Sequence, residues 1–274
     1  MAAPAPAPVS VVAPPLRSVL MSQDWRDLAF LHWFVPAERV AGHLPPGTRP
    51  DLVQDGVYAG LTPVALVPFR MVGAGVGRGP AIPYFGTFWE TNVRLYSVDR
   101  QGRRGIVFAS LDASRLAVVI AARAGLGLPY RWARMRGSER CRDGARELAW
   151  TTRTRWPGPG GVASRIAVRV GRPVEPDAPD AALTAFLSAR WGLHTAHLGR
   201  TWYVVNEHAT WSLARAEVLA LDDGLLAAAG FGDLARRAPD HVLFAEGVHA
   251  RFGTAQRRAP DTDRPRHRAS CAPR

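Results

Sequence analysis

The sequence predicts an α+β fold whose mainly antiparallel strands close into a β-barrel or split into a double sheet. Three observations carry this. Runs of β-branched and aromatic residues recur through residues 21–252, with glycine, proline and aspartate turns between them. Helical periodicity is confined to short stretches, and no strand–helix–strand rhythm builds a parallel sheet. About ten strands in one sheet favour curling or division into two layers.

Taken in order, DLAFLHWFV (27–35) reads as a strand, followed by a short helix in PAERVAGHL with Pro36 at its first position. GVYAGLTPVALVPFRM (56–71) is extended, its prolines implying an edge or a bulge. GAGVGRGPAIP (73–83) is a glycine-rich loop, which prolines rather than a helix follow, so it is no phosphate loop. FGTFWETNVRLYSV (85–98) and GIVFASL (105–111) are strands. DASRLAVVIAARAG is a helix that Asp112 or Ser114 caps and Gly125 ends. PYRWARMRG, ARELAWTTRTRW and ASRIAVRVG alternate as strands; DAALTAFLSARW is a helix with Leu183, Phe186, Leu187 and Trp191 near one face. LHTAHL and TWYVVNEH form a hairpin about Gly199. WSLARAEVLAL is a strand, a short helix ends near Gly230, and HVLFAEGVHARF (241–252) is the last strand.

No linker interrupts 21–252, so this span is one domain, between an Ala/Pro-rich leader (1–20) and an Arg-rich tail (253–274), both without an apolar period and both expected to be disordered. Hydrophobic residues make up 47% of the 274, ample for a core, yet no apolar run reaches membrane-span length. The leader lacks the charged start of a signal peptide, and two cysteines make no disulfide framework, so a cytoplasmic location is expected. The net charge of +12 raises nucleic-acid binding. Against it, the basic residues are all arginine, with no lysine in the chain, and outside the tail they are dispersed. No membrane partner is expected and nucleic acid is disfavoured, with a nucleic-acid or partner-binding role for the tail as an alternative.

The strand at 85–98 poses the functional question. Strand side chains alternate between faces, so Phe88, Glu90, Asn92, Arg94 and Tyr96 share one face and Trp89, Thr91, Val93 and Leu95 the other. The second face requires a core. The first is either a solvent face with a cross-strand ion pair or the wall of a polar cavity. In a cavity, burial raises the Glu90 pKa and makes it an acid or base; pairing with Arg94 keeps it ionised. His32 sits among Leu28, Phe30 and Phe34, which suits a core histidine or a pocket group. His194 and His197, three apart on a strand, point to opposite faces; no metal or cofactor is expected. No Gly-x-Ser-x-Gly elbow is present.

The segments QDWRDLAFLHWFVPAERVAGHLPPG, FGTFWETNVRLYSV and FASLDASRLAVVIAARAGLGLPYRWARM, with LTAFLSARWGL and EHATWSLARAEV, resemble the bacterial family of domain of unknown function 2071 over residues 21–252. That family is placed near acetoacetate decarboxylase, so the resemblance implies a decarboxylase-like barrel or double sheet around an apolar pocket. It places Glu90 where the decarboxylase has a pocket glutamate, and Phe34 where it has an early-strand arginine. Its Gly-Phe-Pro-Lys-Lys run corresponds to Gly127-Leu128-Pro129-Tyr130-Arg131, so Tyr130 and Arg131 stand where the lysine pair would be. A Schiff base needs an amine that can lose its proton; a phenol and a guanidinium cannot supply one. The resemblance therefore implies a pocket that binds a small apolar or aromatic ligand bearing a polar group. Glu90 and Tyr130 are the catalytic candidates, and Asn92, Arg94, Arg131, His32 and Phe88 the ligand-binding ones. The enzymatic alternative is acid–base chemistry by Glu90 and Tyr130 on a carbonyl metabolite, as in an isomerase or dehydratase.

Overall fold

A computed structural model describes residues 10–257, which form twelve strands, four short α-helices and one 3-10 helix (Leu234–Arg236). The strands are β1 (Met21–Val35), β2 (Thr48–Pro50), β3 (Thr62–Val76), β4 (Phe88–Asp99), β5 (Arg104–Ala113), β6 (Tyr130–Arg142), β7 (Ala145–Trp156), β8 (Ala163–Pro173), β9 (Gly192–His197), β10 (Arg200–His208), β11 (Leu213–Asp223) and β12 (His241–Arg257). The helices are α1 (Glu38–Ala41), α2 (Leu116–Leu126), α3 (Ala181–Ser188) and α4 (Leu225–Ala228). Pairing is antiparallel except where β5 meets β6 and β9.

The strands form a double sheet whose pairings close on themselves twice. One circuit runs β5–β6–β7–β8–β11–β12–β1–β3–β4 and back to β5; the other runs β12–β10–β9–β5–β4–β3–β1 and back to β12. The strands common to both make a central wall with a hydrophobic core on each side. Along β1, Leu28, Phe30 and Phe34 enter one core, whereas Ala29, Leu31, Trp33 and Val35 enter the other. β3 divides likewise, Ala65, Val67, Phe69 and Met71 against Val64 and Leu66. The first core is closed by β9 and β10, by α2 and by Phe186 and Leu187 of α3. The second is closed by Leu148 and Trp150 of β7, Ile166 and Val168 of β8, and Leu225 and Leu226 of α4.

Several local expectations change in three dimensions. β3 is an inner strand despite its prolines. Pro68 faces the place where β1 carries an extra residue and its pairing with β3 is interrupted between Arg26 and Leu31. A bulge beside Pro68 is one of the two settings that the prolines imply. In α2, Arg115 occupies the N-cap and makes no side-chain cap. Ser114 is engaged elsewhere, its Oγ accepting from the Trp89 N–H at 3.0 Å. Gly127, not Gly125, ends the helix, in the left-handed conformation (φ 66°) that glycine adopts without steric cost. Pro36 precedes the N-cap Ala37 of α1 rather than opening the helix.

The segments expected to be disordered are partly engaged. Within the leader, the Leu16 N–H donates to Glu207 Oε2 (3.0 Å), Trp191 Nε1–H donates to the Ser10 carbonyl (2.7 Å) and the Leu20 N–H to the Phe252 carbonyl (2.8 Å). Residues 253–257, assigned from sequence to the tail, extend β12 and pair with β10, Ala255 opposite Val204 and Gln256 opposite Tyr203. Residues 1–9 and the rest of the tail lie outside the described residues.

The extension of β12 closes the second circuit against β10. Compared with the protein truncated after Arg257, truncation after Phe252 removes about three ladder pairs, each net hydrogen bond worth roughly 0.5–1.5 kcal/mol. We expect a loss of about 1–4 kcal/mol, read by chemical denaturation of the two truncated proteins; equal stabilities would show that this pairing is dispensable.

Candidate functional site

The site is built on β4, the innermost polar strand of the wall. β3 and β5 flank it on both sides, Glu90 lying opposite Phe69 and Ala113, and Asn92 opposite Val67 and Leu111. Its two faces are both buried. Thr91, Val93 and Leu95 pack into the second core, and Glu90 (3% exposed) and Asn92 (1%) point into the first. The row Phe88, Glu90, Asn92, Arg94, Tyr96 is therefore an interior wall, not a solvent face.

Tyr130 opens β6 three residues after the Gly127 cap and pairs with Leu111, the residue that faces Asn92 across β5. This brings its hydroxyl onto Glu90, donating to Oε2 at 2.7 Å. Asn92 Nδ2 donates to Glu90 Oε1 (3.2 Å), and Arg94 Nε donates to Asn92 Oδ1 (3.0 Å). The guanidinium has only donors, so it fixes the Asn92 oxygen toward itself and the amide nitrogen toward Glu90. A continuous chain Tyr130–Glu90–Asn92–Arg94 results.

Burial dominates the electrostatics. It raises the Glu90 carboxyl to about 7, against the donors Tyr130 and Asn92 and the charge of Arg94, which pull it down. Burial, with the Glu90 charge added, pushes Tyr130 well above the usual phenol range, so Tyr130 stays a proton donor. Burial also lowers Arg94, but a guanidinium remains charged. Arg94 has no described carboxylate within 4 Å. It is held by Asn92 and lies over the rings of Phe30 (5.5 Å) and Phe108 (6.0 Å). It is enclosed deep in the fold yet keeps accessible surface, as does Phe108 beside it. Beyond Arg94, His32 Nε2 lies 2.9 Å from the Tyr96 hydroxyl, which donates to the Leu187 carbonyl at 3.0 Å. Burial holds His32 well below its usual pKa, so the imidazole is neutral.

Of the residues singled out from sequence, Glu90, Asn92, Arg94, Tyr130, His32 and Phe88 converge on this core. Arg131 does not. As the neighbour of Tyr130 on a strand it points to the opposite face, where Nη2 meets Asp112 Oδ2 at 2.6 Å. Asp112, expected to cap α2, is instead this ion-pair partner, and burial still raises it to about 6. Glu90 and Arg94 make no direct pair; Asn92 separates them. Tyr96 belongs to the site and was legible as the next member of the alternating row. Phe108 reaches the site from the neighbouring strand β5 and Trp211 from the connection before β11, which is remote in sequence.

The chain belongs to the family of domain of unknown function 2071 (DUF2071), described as an uncharacterized conserved protein, whose sequence profile matches residues 22–249. An uncharacterized protein of Bacillus subtilis (strain 168), YqjF, is 29% identical over 199 residues, spanning 72% of this chain and 76% of that one. Among solved structures, an acetoacetate decarboxylase-like enzyme from Sphingomonas wittichii RW1 superposes with a TM-score of 0.60 at 13% identity, covering 94% of this chain and all (100%) of that one. Acetoacetate decarboxylase from Legionella pneumophila gives 0.58 at 12%, covering 93% and 92%. The enduracididine biosynthesis enzyme MppR, complexed with the condensation product of pyruvate and imidazole 4-carboxaldehyde, gives 0.55 at 14%, covering 93% and 97%. The shared property at these identities is the fold, and the double sheet around the Glu90 row agrees with it.

The raised Glu90 pKa links stability to pH. The folded state holds the Glu90 proton more tightly than the unfolded state, from the usual 4.5 up to about 7. Its contribution is present below 4.5 and lost as pH rises through about 7. The shift corresponds to roughly 3 kcal/mol. Glu90→Gln keeps an acceptor for Tyr130 and removes the titration. The stability difference between wild type and variant should therefore move in the variant's favour between pH 4.5 and 8, measured by denaturation across that range. A difference independent of pH would contradict the assignment.

Proposed function

We propose that the protein binds a small organic acid, apolar or aromatic in its body, with its anionic group on Arg94. The observation that carries this is the Arg94 guanidinium, deep in the core and without a described carboxylate partner within 4 Å, while its surroundings are aromatic. A buried cation left unpaired costs stability, and an incoming carboxylate would relieve that cost through charge-assisted, two-point hydrogen bonding. The row geometry supports it: Glu90 and Tyr130 lie on the other side of Asn92, positioned for a second polar group of the same ligand. MppR, of similar fold, has been captured with a condensation product of pyruvate, an occupant of comparable kind.

A second reading, acid–base catalysis on a bound carbonyl compound, is favoured by the Glu90 pKa of about 7. A carboxyl with that value exists in both protonation states near neutrality, which suits proton transfer. Glu90 would take a proton from carbon beside the carbonyl, and the Tyr130 phenol, never ionised under working conditions, would supply a hydrogen bond to the developing oxyanion. Schiff-base chemistry is not part of either reading. The chain has no lysine, and Arg131 is engaged by Asp112 outside the core.

Arg94→Met should weaken binding of small aromatic carboxylates by roughly 10–100-fold, the value of about 1.5–3 kcal/mol for a hydrogen bond to a charged group. Calorimetry against acids and their neutral amides provides the check. Equal losses for acid and amide would remove Arg94 as the anion site. Mass spectrometry after acetoacetate and borohydride should show no adduct at any internal residue; an internal adduct would overturn the exclusion of imine chemistry.

A further inference from the structure

A second concave site lies outside the core. β3, the start of α2, β6 and β7 bound a cleft of about 510 Å³, lined by Arg70, Arg115, Arg134 and Arg155, with Trp89 and Trp132 among the remaining walls. Each arginine comes from a different element, so their convergence is a property of the fold and not of a basic stretch of chain. No aspartate or glutamate lines the cleft. None of the four guanidinium groups has a described carboxylate within 4 Å. Other arginines are paired: Arg104 and Arg190 share Asp51, Arg131 holds Asp112, and Arg146 binds Asp27, Glu139 and Glu246. Three of the cleft arginines are instead placed by aromatic rings and backbone. Arg70 lies 5.5 Å over Trp89, Arg155 lies 4.8 Å over Trp132, and Arg115 lies 4.2 Å over Tyr84 while its Nε donates to the Tyr84 carbonyl at 3.2 Å. The Trp89 ring is seated against Gly137, where a Cβ would approach it to 2.2 Å, so the support under Arg70 is itself fixed by packing.

Mutually repelling cations held around one hollow, with no acid to neutralise them, form a field that an anion would relieve. Planar guanidinium forks suit phosphate oxygens bidentately. The volume falls within the range of small-molecule sites. We propose that this cleft binds a small polyanion of the phosphate class, carrying two or more negative charges, as in a pyrophosphate or an organic diphosphate. The site is separate from the Glu90–Arg94 row. Phe88 and Trp132 lie between them, each contributing to the cleft and to the first core.

Inorganic pyrophosphate is the probe, titrated into the full chain by calorimetry at fixed ionic strength. We expect saturable binding at one site per chain, weakening with added salt, as screened charges do. The double variant Arg70→Gln/Arg134→Gln should lose affinity at least 10-fold, and Arg155→Gln alone several-fold. Arg172→Gln, an exposed arginine elsewhere, should bind as wild type. The cleft arginines have no acidic partners to strand, and an unchanged melting temperature would verify that the variants fold. Absence of saturable binding by the wild type would overturn the proposal, as would affinity retained in the double variant or lost equally in Arg172→Gln. Binding of an oligonucleotide without binding of pyrophosphate would also overturn it, in favour of a nucleic-acid surface.

Discussion

The structure depends on burying both faces of one wall. β12, β1, β3, β4 and β5 are shared by the two closed circuits of strands, and β4 at the centre meets one core on each face. A strand so placed cannot discard polar side chains to solvent. Whatever polar residue stands on β4 must be satisfied inside the protein. The chain Tyr130–Glu90–Asn92–Arg94 meets that requirement by passing donors to acceptors along the strand. Arg94 ends the chain, with aromatic rings rather than a described carboxylate against its guanidinium.

That constraint also explains how acid–base potential arises here without lysine. Enclosure in the first core raises Glu90, and the flanking donors limit the rise, so the carboxyl comes to rest at about 7. The same enclosure raises Tyr130 and lowers His32, leaving one group of the set poised to exchange a proton near neutral pH. In the decarboxylase resemblance the residues at positions 130 and 131 matter as a pair. Here strand alternation separates them. Tyr130 serves the core, and Arg131 serves Asp112 on the far side of β6.

Arginine is used in three ways in this molecule. Some arginines neutralise buried carboxylates, as Arg190 and Arg104 do for Asp51. Arg94 lies over aromatic faces inside the first core with an amide as its polar contact. Those of the outer cleft lean on tryptophan and tyrosine rings around an acid-free hollow. Part of the net charge of +12 is therefore gathered around one concave cleft. The charge alone suggested nucleic acid; its placement points to small anions.

The sequence by itself determined the strands, the short helices, the absence of an imine-forming lysine and the membership of the Glu90 row in a single strand face, because these follow from local propensity, composition and a period of two. It also located Tyr130, through its place in the Gly127–Arg131 run. It could not decide whether the Glu90 row met water or a core, since both arrangements have the same alternation. Nor could it show that β12 continues to Arg257, that Arg131 turns away to Asp112, or that arginines from four elements meet in one cleft. Those outcomes rest on contacts with partners far away in the chain. Burial of Glu90 depends on β9, β10, α2 and α3 closing over β4, and burial is what sets its pKa. Only the tertiary structure supplies that enclosure, because desolvation is a property of everything around a group and not of the residues beside it in the chain.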